Sequence, residues 1–191
     1  MIVSEPTEIR SLLESYEKEF ALDVETHGVT PPGKPELPTC ALMLNRARME
    51  VISFCGISRG KEVAFCVPVA EKYGHGYCST KDLVEAIKPV MRNRKVLKIA
   101  HNMNYDKNVL LNHGVDVRGI YCSLIAARHQ DENNPAGLKD RATQVGMLLK
   151  KYKNQDPGDV KAFSAYAEED SIAAYRLYLA YEGRDPRHRN L

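Results

Sequence analysis

The 191 residues carry 27 Lys and Arg against 25 Asp and Glu, a formal charge of +2, which excludes a global basic field gripping duplex nucleic acid indiscriminately. The length fits one domain, and five scattered cysteines (Cys40, Cys55, Cys66, Cys78, Cys122) with no Cys-x-x-Cys pair exclude a disulfide framework and a structural zinc site. The chain starts without a basic leader, and no stretch approaches the roughly 18 apolar residues of a membrane span, so an intracellular protein without membrane association is expected.

In chain order, residues 7–18 predict a short amphipathic helix, with Thr7 as a cap behind Pro6. Phe20 to Val24 reads as a strand, followed by a Pro-rich loop over 29–48 with Pro31, Pro32, Pro35 and Pro38. Glu50–Ser58 and Glu62–Val69 are β-rich runs joined at Arg59-Gly60-Lys61, a hairpin connection. From Thr80 the apolar spacing of Leu83, Val84, Ile87, Val90 and Met91 predicts a helix, then a short strand at 96–100. Helices are predicted at about 103–113, 123–129, 138–150 and 159–181, and a polar, basic tail at 184–191. The order is α/β: a sheet that begins with hairpin-linked strands and is later flanked by helices, in a single unit over 1–183.

Three stretches place acids where acids are costly. In Phe20-Ala21-Leu22-Asp23-Val24-Glu25, strand alternation puts Asp23 and Glu25 on one face and Phe20, Leu22 and Val24 on the other. With 25 acids in 191 positions, about three acid-x-acid patterns arise by chance, so the setting matters more than the pattern. Two adjacent like charges repel unless one is protonated or a cation lies between them, and a hard divalent ion suits carboxylate oxygens. The alternative at this point is that Glu25 turns into the loop and is solvated. In His101-Asn102-Met103-Asn104-Tyr105-Asp106, a strand runs into a helix on which Asn102 and Asp106 are four apart, although capping by Asn102 or Asn104 and a first-turn role for Asp106 explain them equally. In Tyr166-Ala167-Glu168-Glu169-Asp170, the phenol of Tyr166 and the carboxylate of Asp170 share a helical face with Ala173, Ala174 and Leu177.

Together the three stretches resemble the 3′-5′ exonuclease (proofreading) domain of family A DNA polymerases, among the ribonuclease H-like DEDDy exonucleases. Asp23-x-Glu25, Asn102-x-x-x-Asp106 and Tyr166-x-x-x-Asp170 match its three motifs in order. Phe54-Cys55-Gly56-Ile57-Ser58, Val67-Pro68-Val69-Ala70, the helix exit at His113-Gly114 and the helix start at Gly137-Leu138-Lys139-Asp140 extend the likeness over nearly the whole chain. It departs in a longer 29–48 loop, in Ser123-Leu124 where many members carry Asp-Thr, and in ending where a polymerase domain would follow.

The resemblance implies a ribonuclease H-like mixed central sheet, three antiparallel strands first and parallel additions after, flanked by helices. It implies two divalent ions, Mg2+ or Mn2+, one on Asp23, Glu25 and Asp170 and one on Asp23 and Asp106, with Tyr166 and Glu25 orienting the attacking water. Thr26, Val29, Asn102 and Tyr105 fall at positions that contact the terminal nucleotides. The implied substrate is a single-stranded or frayed DNA 3′ end, and the implied partner a DNA polymerase in cis or in trans. Two other readings stay open: a ribonuclease D-like exoribonuclease, which shares the same acids and tyrosine, and a catalytically inactive binding module.

Overall fold

The computed structural model describes residues 1–28, 47–150 and 156–182. Strand β1 (Glu19–Gly28) lies at the centre of a five-stranded sheet, because both of its faces are covered. Phe20, Leu22 and Val24 enter one apolar cluster with Ile9 and Leu13 of helix α1 (Pro6–Ser15) and Leu83 and Ile87 of helix α3 (Thr80–Arg92). Ala21 faces the other way and packs with Ala174, Tyr175 and Tyr178 of the long helix α7 (Val160–Tyr181). Asp159 caps α7 by accepting the amides of Lys161 and Ala162 at 3.1 Å.

Strands β2 (Ala47–Ser58) and β3 (Lys61–Pro68) pair antiparallel and continue outward from β1. Ser58 pairs with Lys61, so the hairpin loop is the two residues Arg59 and Gly60, both at positive φ (51° and 72°), as a twist-matched two-residue turn requires. A short helix α2 (Ala70–Tyr73) and α3 carry the chain back to strand β4 (Leu97–Ala100), parallel to β1. Helix α4 (Met103–Asn112) follows, then strand β5 (Ile120–Cys122), parallel to β4, and helix α5 (Ser123–Gln130). The sheet order is β3-β2-β1-β4-β5, three antiparallel strands and then two parallel additions, the ribonuclease H-like arrangement expected from the sequence.

Three expectations are corrected, and one strand, β5, is added that was not expected. The N-cap of α1 is Glu5, with Pro6 in the first turn, where its missing amide costs nothing, so Thr7 is inside the helix. Strand β2 starts at Ala47 rather than Glu50: Ala47 and Met49 are buried while Arg48 points outward, an alternation that the Pro-rich composition upstream obscures. The helix predicted over 138–150 is only α6 (Leu138–Arg141) and a 3-10 turn (Ala142–Val145), ended by Gly146 in the left-handed conformation at φ 74°. β5 has three residues, too few for a period-2 pattern, and is defined by its register with β4. Residues 29–46 of the expected loop, Val29 and Cys40 among them, and the 184–191 tail lie outside the described residues. Cys55, Cys66, Cys78 and Cys122 are free thiols. Among the described residues, no helix is long and apolar enough to cross a membrane.

Candidate active site

Strand alternation on β1 directs Asp23 and Glu25 toward α7, on the face that Ala21 shares. Asp170 descends from α7 onto the same spot, held by the packing of Ala173 and Ala174 one turn on and Leu177 two turns on. One carboxylate oxygen each from Asp23, Glu25 and Asp170 lie within 4.8 Å of one another. Asp106, in the first turn of α4, is 3% exposed, and its Oδ1 accepts the Val24 amide at 3.0 Å. That amide is the main-chain group between Asp23 and Glu25, so the fourth acid docks on the backbone that carries the first two.

Electrostatics follow from this crowding. Burial, then Glu25, Asp170 and Asp106, push the Asp23 carboxyl far above the ordinary range, with Lys139 opposing. Glu25 is pushed up to about 8, first by burial and then by Asp170. Asp106 is pushed up to about 7 by burial, against the pull of the Val24 amide. Asp170 is raised by burial and held back by Lys139 and by a hydrogen bond from Tyr166. Burial and the neighbouring Asp170 raise the Tyr166 phenol strongly, so it stays protonated.

Among the described residues, no donor reaches the buried Asp23 Oδ2. A buried, unpartnered carboxylate oxygen inside an all-oxygen donor set fits a hard divalent cation and suits zinc or copper poorly. Asp23, Glu25 and Asp170 form one such cradle, and Asp106 adds its carboxyl beside Asp23.

The other expected residues fall as follows. Thr26 and Tyr105 meet, hydroxyl to hydroxyl, at 2.6 Å beside the acids. Asn102 is not on the helical face of Asp106: it is the residue before α4, exposed, in the left-handed conformation at φ 75°, without a side-chain capping bond. Its turn aims the first turn of α4 at β1.

Three features escaped the sequence. Lys139, from α6, forms an ion pair with Asp170 and sits 4.5 Å above the Tyr166 ring, placing a cation at the acids. Glu25 pairs with Val51 and Thr26 with Met49, so Glu50 is an extra residue in a bulge of β2. Its buried carboxylate takes Lys72 at 2.7 Å and lies 3.3 Å from His27 Nδ1. Ser123, at the departure from Asp-Thr, is fully buried and bonds His101 Nδ1 at 3.0 Å, so that His101 is tied down beneath β4. No residue spacing signals these contacts; only a reading of Gly137-Leu138-Lys139-Asp140 as more than a helix start would have raised Lys139.

A family model described as 3′-5′ exonuclease matches residues 1–181. The chain belongs to this 3′-5′ exonuclease family. Solved structures share the exonuclease's fold at low identity. Brucella melitensis NrnC superposes with a TM-score of 0.64 at 22% identity, covering 91% of this chain and 76% of NrnC. Trypanosoma brucei RNase D, in complex with RNA U12, gives 0.66 at 16% identity, covering 95% of this exonuclease and 61% of that chain. Pol1 from M. smegmatis, in complex with DNA primer-template and dNTP, gives 0.63 at 14%, covering 96% of this exonuclease and 28% of that chain.

Proposed function

We propose that the exonuclease removes nucleotides one at a time from single-stranded or frayed DNA 3′ ends, releasing nucleoside 5′-monophosphates, and proofreads for a DNA polymerase in cis or in trans. Residues 1–183 act as one catalytic unit. The observation that carries this reading is the convergence of Asp23, Glu25 and Asp170 around a buried carboxylate oxygen that has no donor among the described residues.

Asp23, Glu25 and Asp170 would hold one divalent ion, and Asp23 and Asp106 a second; Mg2+ is supported by its presence in a structure of NrnC. Bound there, the ions supply hydroxide at neutral pH and charge to stabilise the leaving oxygen. The chain's own residues position the rest. Tyr166 keeps its proton, bonds Asp170 and orients the attacking water together with Glu25. The water releases one proton to solvent as its oxygen bonds to phosphorus, the bond from phosphorus to the upstream 3′ oxygen breaks, and that oxygen leaves with a proton from solvent. Thr26 and Tyr105, already bonded to each other, would contact the terminal sugar and base with Asn102; Val29 keeps its expected stacking role.

A second reading is an exoribonuclease, favoured by the shared fold of the RNase D solved with RNA U12. Digesting matched DNA and RNA single strands side by side in Mg2+ separates the two. Faster trimming of DNA is expected. Preferential trimming of RNA would make the protein an exoribonuclease, and binding without trimming of either would make it an inactive module.

A further inference from the structure

Two cavities border the sheet edge at β5 and meet at Lys107 and Ile120. The first, of about 730 Å³, begins at Asn102, four residues before Asp106, and runs past Tyr121, Leu124 and Ile125. Its floor is apolar, and Ile120 and Ile125 are 46% and 56% exposed. The second, of about 590 Å³, is lined by Arg94, Lys107 and Arg118, with Asp116 as its one acidic lining residue.

The second cavity is a built feature. Gly119, at φ +66°, lets the turn after Arg118 lie flat against the preceding segment; a Cβ there would stand 3.0 Å from the carbonyl oxygens of both Arg94 and Val96. The Arg118 amide donates to Met91 O at 3.0 Å and the Lys98 amide to Gly119 O at 2.7 Å, fixing the turn between α3 and β4. Arg118 Nε donates to Asp116 at 2.7 Å, and Lys107 and Arg92 also hold that carboxyl below its ordinary range. Four cations thus surround one acid, in a chain whose total charge is only +2.

An apolar trough that starts at Asn102, just before the helix that carries Asp106, and ends in a cationic pocket matches a single strand, whose bases stack on apolar surface while phosphates seek Lys and Arg. A neutral or acidic-poor protein segment would use the trough but offer no charge complementary to the cations. We propose that Arg94, Lys107 and Arg118 bind backbone phosphates of the single strand upstream of the nucleotide being removed, with that strand lying along the β5 trough. This rests on the exonuclease reading of the acids. The length of strand gripped, rather than the chemistry at the 3′ end, is what this surface sets.

The test is fluorescence anisotropy of a 5′-labelled 12-nucleotide single strand in EDTA, comparing wild type with Arg94→Gln/Arg118→Gln. Both arginines are exposed, so folding is not at risk, and matched melting temperatures check it. Affinity should fall about tenfold, and the slope of log K against log salt should shrink by about 1.4, the share of two lost phosphate contacts on a single strand. Unchanged affinity and slope would overturn the phosphate track. Trimming of the same strand by wild type in Mg2+, measured alongside, reports separately on the exonuclease reading: its absence sinks that reading, whereas trimming with unchanged variant binding sinks only the track.

Discussion

Asp23 lies where burial and three other acids favour its neutral form, yet its proposed work needs the anion. The cost of that conflict is measurable. Asp23→Asn should raise the melting temperature in EDTA by removing a repelled charge, and should abolish the further rise that Mg2+ gives wild type. Nucleotide release should drop by more than about 100-fold, since even outer supports of a metal site are worth 10 to 100. Tyr166→Phe keeps the ring that Lys139 and Phe163 pack against and removes only the hydroxyl. We expect kcat to fall roughly 100-fold with KM little changed, because the role proposed for the phenol is to orient water rather than to bind substrate. Lys139→Met removes the cation that neutralises Asp170; Mg2+ titration calorimetry should show tighter binding, with the metal no longer displacing an ammonium. At this scale spacing made legible that Asp23 and Glu25 share one strand face and Tyr166 and Asp170 one helix face, whereas their grouping with Asp106 came only from the resemblance of the three motifs to the exonuclease family. Lys139 and Glu50 were not: one reaches Asp170 across 31 residues of sequence, and the other is buried at a strand bulge that no local pattern encodes.

At the scale of elements, the acids set β1, α4 and α7 against one another. Their folded-state pKa values lie above the unfolded ones, so these acids hold more protons in the native chain than in the unfolded one; burial lowers His27, His101 and His113 and opposes them below about pH 6.5, which leaves the acids dominant between about pH 6.5 and about 8. Stability of the metal-free protein is therefore fully present at the acid end of that window and is lost as pH rises through it. Thermal melts in EDTA should show the midpoint declining from about pH 6.5 to about pH 8, and Mg2+ should restore it at the upper end by binding only the folded state. Arg141 stabilises the approach to α6: it is 3% exposed and donates to the carbonyls of Asp131 and Asn134 at 2.9 and 3.1 Å. Arg141→Met should lower unfolding free energy by about 1–3 kcal/mol in urea titration, the worth of hydrogen bonds from a buried, charged donor. The long, strongly patterned elements, β1 to β3, α3 and α7, could be read from the sequence because each buries a whole face. β5 and the early end of α6 could not. Three and four residues carry no period, and their conformation is imposed by β4 on one side and by the Arg141 and Gly146 contacts on the other.

For the whole molecule, the near-balanced charge hides a division of labour. Four acids gather at the end of β1, while Arg92, Arg94, Lys107 and Arg118 gather around Asp116 beyond the β5 edge. Such a distribution draws a polyanion by its backbone toward a centre that its own phosphate would avoid without divalent metal. Removing metal should therefore eliminate hydrolysis while leaving strand binding largely in place, an outcome that gel-shift and product analysis in EDTA would record together. The central claim is that these acids carry metal-dependent removal of 3′-terminal nucleotides. Its most direct measurement follows a 5′-labelled single strand in Mg2+ on a sequencing gel, with wild type and Asp23→Asn in parallel. A ladder shortening by single nucleotides from the 3′ end, absent in EDTA and in the variant, is the expected result; an intact strand, internal cuts, or a ladder that survives the Asp23 substitution would contradict it.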